Sequence, residues 1–356
     1  MTSDWELPGP VTSHQSPVTL RRDEVAVKVG ILGCGFIGRI HALDVKSDSR
    51  VALVGVADTL PQAAQRLATE VNTKPLPSLE ALLDAGIEAL YVCTPNTLHL
   101  EPVLRGLAAG VHVFSEKPMA TSLADAWKIR EAARRGRRIY QLGFNRRFAN
   151  VYRFAKQMID EGRITPLLAQ LKHNRGELKQ PPWTADPSVT GGYLYETPVH
   201  LFDMSRFLLG DVVELQGWAR RSVYQELDGF VVLLRCAGGA VASLTSVAHT
   251  SWLFPYERVE IYGAHKTVVT EELERAWFSP GMRDQVEAVD CFQMPFEQKW
   301  GYAMEDRFFI DACLGERPPA VTADDGYKAT ELVEACYQAV KTERLVTLPL
   351  AEPKTA

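Results

Sequence analysis

The sequence lacks the features that would place the protein in a membrane or on a nucleic acid. No apolar run approaches the ~20 residues that a membrane-spanning helix needs. Acidic residues outnumber basic ones and give a formal net charge of -5, so there is no basic field to hold nucleic acid. The first two dozen residues are rich in Pro, Ser and Thr and contain no apolar segment of the kind found in secretory signals. We therefore expect no membrane and no nucleic acid as partners, and a flexible N-terminal arm over residues 1–24.

Closely spaced cysteines are also missing. The six cysteines lie far apart and include no Cys-x-x-Cys pair, which argues against both a disulfide framework and a zinc site. They are expected to be reduced thiols in a cytoplasmic protein, and no metal site is predicted. By contrast, apolar residues are plentiful: they make up 46% of the 356 residues, enough to bury the cores of two domains.

The order of strand-like and helix-like segments predicts two domains of different architecture. From Val25 to about residue 145 the two kinds of segment alternate, which predicts a Rossmann domain with a doubly wound parallel sheet over residues 25–145. From 146 to 345 most strand-like runs follow one another directly, which predicts an α+β domain with an open, mostly antiparallel sheet. Two amphipathic helices, at about 303–315 and 325–342, are expected to pack back on the first domain.

The segment GCGFIG, residues 33–38, fits the G-x-G-x-x-G pattern of dinucleotide-binding loops, because it follows a strand and opens a helix. Gly33 would permit a tight turn, Gly35 the approach of a pyrophosphate, and Gly38 the close packing of helix on sheet. Asp58, at the end of the next strand, could bind a ribose hydroxyl and would repel a 2′-phosphate, so NAD is favoured over NADP. The alternative is an ordinary glycine turn with a surface aspartate. The predicted cofactor contacts here are Gly33, Gly35, Phe36, Ile37, Gly38 and Asp58.

A second loop, Thr94-Pro95-Asn96, follows a strand at its carboxyl end, where open α/β sheets bind ligands. This loop and His99 in the turn after it are predicted to contact the cofactor. The alternative left open is that the loop only starts a helix, with Thr97 as its N-cap.

The stretch FSEKPMA, residues 114–120, follows another strand at the same edge of the sheet. Glu116 and Lys117 are predicted to lie beside the cofactor, with Lys117 pointing into the crevice between the domains. Pro118 restricts Lys117 to an extended backbone and so fixes the direction of its side chain. The alternative is that Lys117 is a solvated loop residue, as most lysines are.

A polar set in the segment 191–210 consists of Glu196, His200 and Asp203, at positions i, i+4 and i+7. On a continuous helix the three side chains would share one face. Thr197-Pro198 is typical of a helix start, however, and the other possibility is that Glu196 lies just outside that helix. The alternative is a polar stripe on an amphipathic helix.

Together these motifs resemble the glucose-fructose oxidoreductase/inositol dehydrogenase (Gfo/Idh/MocA) family. They are GCGFIG, Asp58, CTPNTLH, EKP, and a Gly-Gly segment followed by this acid, histidine and aspartate. The resemblance covers about residues 25–345, and EKP with the downstream histidine is its most specific part. It implies an open-sheet substrate domain that forms a homodimer or homotetramer through its open face. It also implies hydride exchange between a nicotinamide and a hydroxyl-bearing carbon of a sugar or cyclitol. Lys117 and His200 fall on the family's catalytic positions, and Glu196 stands where aspartate is common.

The chemistry of alcohol oxidation agrees with these positions. A base must remove the hydroxyl proton as the hydride leaves, and His200 suits that role. Lys117 is predicted to orient the hydroxyl or relay its proton, and Glu196 to orient or tune His200, which makes these three the predicted catalytic residues. The loop 174–192 is expected to set substrate specificity, because loops on a rigid scaffold usually do. The predicted substrate contacts are Lys117, Asn145, Arg146, Arg175, Glu196, His200 and Asp203.

The leading hypothesis is therefore an NAD-dependent dehydrogenase or reductase acting on a cyclic polyol, sugar or aminocyclitol. One alternative is an NADP-dependent reductase of a nucleotide-linked keto sugar, although Asp58 argues against its cofactor. Another is a non-catalytic dinucleotide-dependent sensor. The presence of Lys117 and His200 favours catalysis, because a sensor has no need of a proton acceptor beside the nicotinamide.

Overall fold

The structure is a computed structural model that describes residues 26–178, 181–251 and 256–353. The expected N-terminal arm, residues 1–24, and residues 179–180 of the expected specificity loop lie outside the described residues. Among the helices in the described ranges, none has the length and apolar character needed to cross a membrane.

The first sheet is parallel and has helices between its strands. Its strands are β1 (Val27–Leu32), β2 (Val51–Ala57), β3 (Lys74–Leu76), β4 (Ala89–Val92), β5 (His112–Glu116) and β6 (Tyr140–Gly143). Its helices are α1 (Phe36–Ser47), α2 (Pro61–Glu70), α3 (Leu79–Asp84), α4 (Leu100–Ala108) and α5 (Leu123–Arg135). The strand order is β3-β2-β1-β4-β5-β6, which confirms the expected doubly wound sheet. The order reverses between β1 and β4, and ligands of such folds bind beyond the carboxyl ends of the strands at that point.

The second half of the chain has more strands in sequence and fewer helices between them. It contains α6 (Asn150–Asp160), β7 (Leu168–His173), α7 (Pro187–Thr190), α8 (Tyr193–Glu196), α9 (Val199–Leu209), β8 (Val212–Arg220), β9 (Gly229–Cys236), β10 (Val241–Val247), β11 (Glu257–Gly263), β12 (Lys266–Glu271), β13 (Arg275–Ser279) and β14 (Glu287–Asp290). It ends with α10 (Phe296–Lys299), α11 (Tyr302–Cys313), α12 (Ala323–Thr342) and β15 (Val346–Thr347).

These strands form a mixed, mostly antiparallel sheet in the order β14-β13-β12-β11-β7-β10-β9-β8-β15. Only the β7–β10 pair is parallel among the described pairings, and the expected open sheet is confirmed. Strands β13, β14 and β15 were not anticipated. In β9, Phe230 and Val232 are buried under the helices while Val231 and Leu233 are exposed, which is the alternation of a sheet covered on one face.

The two closing helices pack against the Rossmann domain. Helix α11 lies against α1, and α12 lies against α5 as well as β8. Two ion pairs accompany this packing: Arg50 Nη1 is 2.8 Å from Asp311 Oδ1, and Arg130 Nε is 2.8 Å from Asp324 Oδ1. One apolar cluster of buried side chains extends through both halves of the chain, so the two halves share a core.

Candidate active site

The glycine loop between β1 and α1 leaves room for a dinucleotide. Gly33 has φ +99°, and a Cβ there would lie 2.3 Å from the carbonyl oxygen of Cys93. A Cβ at Gly38 would lie 1.9 Å from the carbonyl oxygen of Gly33, so neither position accepts a side chain. At Gly35 no described atom lies within 4 Å of the Cβ position. A pyrophosphate can approach the backbone there and meet the N-terminal amides of α1.

Asp58 supports this loop from the end of β2. Its Oδ2 accepts a hydrogen bond from the backbone N of Cys34 at 2.7 Å, and its Oδ1 accepts one from the backbone N of Leu60 at 2.8 Å. Each carboxylate oxygen has a second lone pair with which it can accept from a ribose hydroxyl. Burial, together with the charge of Asp58, raises the pKa of the Cys34 thiol to about 12. The loop therefore presents a fixed carboxylate and a neutral thiol, which suits NAD.

The loop after β4 is braced from inside the protein. His99 is buried, with Nδ1 2.7 Å from the carbonyl oxygen of Pro118 and Nε2 2.8 Å from that of Thr94. Burial lowers the pKa of His99. Thr94 Oγ1 donates to the carbonyl oxygen of Leu98 at 3.3 Å, and Pro95 caps the 3₁₀ turn that follows. The buried His99 ring lies between the two loops and, as a neutral imidazole, donates to only one of these carbonyl oxygens. Its contact with the cofactor stays a prediction.

Lys117 reaches a cavity of about 380 Å³ at the carboxyl edge of the Rossmann sheet. The Lys117–Pro118 peptide bond is cis. Lys117 Nζ donates to the carbonyl oxygen of Glu196 at 3.0 Å and lies 3.9 Å from Glu196 Oε2. Glu116 points the other way, into the interior, where its Oε1 lies 3.1 Å from His41 Nε2. The structure therefore brings Lys117 to the cavity and places the Glu116 side chain behind it.

Glu196 and His200 belong to different helices. Glu196 ends the one-turn helix α8, and α9 begins only at Val199, so the continuous face considered above is interrupted. The Glu196 carboxylate accepts from Arg175 Nη1 and from Asn96 Nδ2, each at 3.1 Å. Within the described ranges it has no hydrogen bond to His200. Glu196 is thus placed to act on Lys117 and Arg175, and the predicted orienting of His200 does not fit this geometry.

His200 lines the same cavity and is almost fully buried. Its ring lies 6.1 Å from the ring of His173 and 5.9 Å from that of Phe144. Burial, and then the positive charges of Arg146 and Lys117, lower the pKa of His200 well below its ordinary value. Its Nδ1 is buried and has no hydrogen-bond partner among the described residues. A neutral imidazole in this position can accept a proton.

Asp203 and Asn145 hold neighbouring elements together and do not line the cavity. Arg147 Nε donates to Asp203 Oδ2 at 2.8 Å and Arg147 Nη2 to Asp203 Oδ1 at 2.6 Å. Because both oxygens are engaged and the residue is only 1% exposed, the substrate contact expected of Asp203 is not supported. Asn145 Nδ2 donates to the carbonyl oxygen of Trp300 at 2.9 Å, which supports the cavity wall from behind.

Several lining residues were not singled out from the sequence. Those identified in advance are Phe36, Lys117, Arg146, Arg175, Glu196 and His200. Those missed are His173, Asn174, Thr197, Tyr256, Trp300 and Tyr302. His173 ends β7 and Tyr256 directly precedes β11, whereas Trp300 and Tyr302 flank the start of α11. The sequence places His173 and Tyr256 at strand ends, but many other residues share that position, so it did not single them out.

A buried ion pair forms the base of the cavity. Arg146 Nη2 is 3.0 Å from Glu257 Oε2, and Tyr152 Oη donates to Glu257 Oε1 at 2.7 Å. Burial alone would raise the pKa of Glu257, but the positive charge and hydrogen bonds of Arg146 hold it below its usual value. Burial lowers the pKa of His173 to about 3. The base of the cavity therefore carries a balanced pair of charges beside neutral imidazoles.

Two family models match the chain. The model described as "Oxidoreductase family, NAD-binding Rossmann fold" matches residues 27–144, and that described as "Oxidoreductase family, C-terminal alpha/beta domain" matches residues 156–348. The inositol 2-dehydrogenase of Streptomyces avermitilis is 32% identical over 346 residues, covering 91% of this chain and 94% of that protein. The inositol 2-dehydrogenase of Rhizobium meliloti is 28% identical over 350 residues, covering 91% of this chain and 100% of that protein. A solved myo-inositol dehydrogenase from Corynebacterium glutamicum has the same fold, with a TM-score of 0.78 at 22% identity, over 92% of this chain and 100% of that one.

The glycine loop, the carboxylate after β2 and the cavity beside them define an NAD-dependent oxidoreductase built from a Rossmann domain and an open-sheet domain. With both family models matched over most of its length, the chain belongs to the Gfo/Idh/MocA oxidoreductase family. The resemblance drawn from the sequence, the enzyme class and the NAD cofactor are thereby confirmed.

Proposed function

We propose that the protein transfers a hydride between NAD and a secondary alcohol or ketone on a cyclic polyol, sugar or aminocyclitol. The observation that carries this proposal is that Lys117 and His200 line one cavity beside the glycine loop, although they come from different domains. The curated relatives named inositol 2-dehydrogenase support the substrate class.

Bound NAD supplies the hydride acceptor for alcohol oxidation, and NADH the donor for ketone reduction. Lys117 Nζ is held by the carbonyl oxygen of Glu196 and keeps two further protons with which it can donate to a substrate oxygen. His200, kept neutral by its lowered pKa, accepts the hydroxyl proton as the carbon loses its hydride. Glu196 and Arg175 lie next to Lys117 and His200. The Glu196 carboxylate can accept from, and the Arg175 guanidinium donate to, the substrate hydroxyls beside the reacting one.

A direct assay tests the proposal. Purified protein is mixed with NAD⁺ or NADP⁺ and a panel of inositols, aldoses, aminocyclitols and sugar phosphates, and the matching ketones are tested with NADH. We expect NAD⁺ reduction with at least one cyclic polyol or sugar, and weaker reduction with NADP⁺ because Asp58 opposes a 2′-phosphate. Turnover that requires NADPH and a nucleotide-linked keto sugar would favour the alternative reductase. NAD binding without turnover in either direction would favour the sensor.

We propose further that copies of the chain associate through the open face of the nine-stranded sheet. Its apolar side chains are 39–55% exposed and neighbour one another through the pairings Trp218 with Val231 and Leu168 with Val241. Contiguous exposed apolar patches of this kind usually mark interfaces. The patch consists of Leu168, Trp218, Val231, Leu233 and Val241. Sedimentation should show a dimer or tetramer that Leu233→Glu dissociates, and a monomeric wild-type protein at micromolar concentration would contradict the proposal.

The cytoplasm is the proposed compartment. All six cysteines are free thiols, and four of them are buried, as is usual for proteins of a reducing compartment. Fractionation of the producing cells tests this, and recovery of the protein outside the cytoplasmic fraction would argue against it.

A further inference from the structure

A buried cluster of ionisable residues lies behind the cavity wall, and the proposed reaction does not use it. It consists of His41 in α1, Glu116 at the end of β5, and Glu305 and Asp306 in α11, and we refer to it as the His41 cluster. Each of the four residues is no more than 6% exposed. The ring of Tyr302, which lines the cavity, lies 5.9 Å from the ring of His41. The cluster therefore adjoins the active site without being open to it.

His41 lies between two of the three carboxylates. Its Nδ1 is 2.8 Å from Asp306 Oδ1, and its Nε2 is 3.1 Å from Glu116 Oε1. The other oxygen of Glu116 accepts from the backbone N of Lys117 at 3.1 Å. Two carboxyl groups thus face one imidazole in the interior, so acidic groups outnumber basic ones in the cluster.

Glu305 makes this imbalance acute. Both of its carboxylate oxygens are buried and have no hydrogen-bond partner in the part of the chain that the structure describes. One of them nevertheless lies within 4.8 Å of a ring nitrogen of His41 and of a carboxylate oxygen of Glu116. A buried carboxylate without a partner is strongly unfavourable, so it either keeps a proton or faces a cation.

We propose that His41, Glu116 and Glu305 bind a divalent transition-metal ion such as Zn²⁺ or Mn²⁺. One imidazole nitrogen and two carboxylate oxygens lie within 4.8 Å of one another. Small side-chain rotations, which bring these atoms about 1 Å closer together, would let them meet an ion whose bonds are about 2.0–2.2 Å long. The nitrogen ligand favours zinc or another transition metal over Ca²⁺ and Mg²⁺, which prefer oxygen.

Asp306 completes the arrangement. Metal-bound histidines usually donate their second ring N–H to a carboxylate, which fixes the tautomer and leaves the other nitrogen free for the ion. His41 meets this condition, because Nδ1 faces Asp306 and Nε2 faces Glu116. Such an ion would join α1, β5 and α11 and so hold the start of the loop that carries Lys117. Spacing along the chain does not indicate this site, because its three ligands are far apart in the sequence.

Metal content and thermal stability test the proposal. The full-length protein, without a histidine tag, is treated with EDTA, incubated with ZnCl₂ or MnCl₂ and freed of excess metal. We expect a stoichiometric amount of retained metal and a higher melting temperature than in the EDTA-treated protein. Glu305→Gln should lose both effects, and Asp306→Asn should weaken binding by about 10–100-fold. Glu272→Gln is the matched control, because Glu272 also has a buried oxygen without a partner and should leave metal binding unchanged.

The sign of the stability change separates a metal site from a shared proton. If the cluster merely holds a proton, Glu305→Gln removes an unfavourable buried acid and should raise the melting temperature whether or not metal is present. Wild type would then retain no more metal than the variant, and the proposal would be wrong. Equal retention of metal by wild type and Glu305→Gln would indicate an adventitious surface site and would overturn it as well.

Discussion

Replacement of Lys117 by Met is expected to lower kcat/KM of the proposed reaction by about 10²–10⁴-fold, the usual contribution of a positioned proton donor or acceptor. Lys117 is the cationic donor that the structure holds against the carbonyl oxygen of Glu196 at the carboxyl edge of the Rossmann sheet. Met keeps much of the side-chain length but offers no proton. The Kd for NAD should change little, because the glycine loop and Asp58 are untouched. Steady-state kinetics with the substrate found in the panel, together with titration of NAD binding, provide the measurement.

The matched control is Lys128→Met, on the exposed side of α5. Lys128 pairs with Asp125 at the surface, and such pairs contribute little to stability, so kinetics and NAD binding should both match wild type. A decrease of less than about tenfold for Lys117→Met would mean that Lys117 is not needed for proton transfer. The hydroxyl proton would then pass to His200 without help from Lys117. Loss of NAD binding in the variant would instead indicate that Lys117 supports the cofactor.

The Rossmann half of the molecule could be predicted closely because its signals are local. Parallel strands covered on both faces give continuous apolar runs, and all four residues of β4 are buried. Since the carboxyl ends of parallel strands meet at one edge, the positions of Asp58 and Lys117 at that edge followed from the strand assignment alone. The spacing of the glycines in residues 33–38 predicted the tight turn between β1 and α1.

Side-chain partners could not be predicted in this way. Periodicity places Glu196, His200 and Asp203 on a face, but it does not say which neighbours their charges meet. Asp203 pairs with Arg147, 56 residues earlier in the chain, and Glu196 meets Arg175 and Asn96 from two other loops. The wall residues Tyr256 and Trp300 come from separate parts of the second domain, and only the folded topology brings them together.

The partners of buried charged residues also could not be predicted from the sequence, although these pairs contribute strongly to the free energy of unfolding. The pair Arg146–Glu257 lies 111 residues apart in sequence and is buried on both sides, with side chains 5% and 1% exposed. Arg146 also stacks over the ring of Trp300, 5.3 Å from its centroid. The pair therefore links the turn that follows the Rossmann domain to β11 and to the cavity wall. Removal of one charge would leave the other without compensation in a region of low dielectric constant.

We therefore expect Glu257→Gln to lower the free energy of unfolding by roughly 3–5 kcal/mol, which is the usual effect of removing one partner of a buried ion pair. Gln can still accept from Tyr152, so the loss reflects mainly the uncompensated Arg146. Denaturant unfolding at a fixed protein concentration measures it. Glu214→Gln on β8 is the control, because the Glu214–Arg235 pair lies at the surface of the same sheet and should cost no more than about 1 kcal/mol.

A second substitution identifies the cause of this loss. If the cost arises from the unpaired guanidinium, adding Arg146→Met to Glu257→Gln should restore part of the lost stability, because a neutral pair of similar volume removes the buried charge. If the double variant is instead less stable than Glu257→Gln, packing of the Arg146 side chain against Trp300 contributes more than its charge does. A loss below about 1 kcal/mol for Glu257→Gln alone would mean that solvent or another anion compensates Arg146, as at exposed pairs.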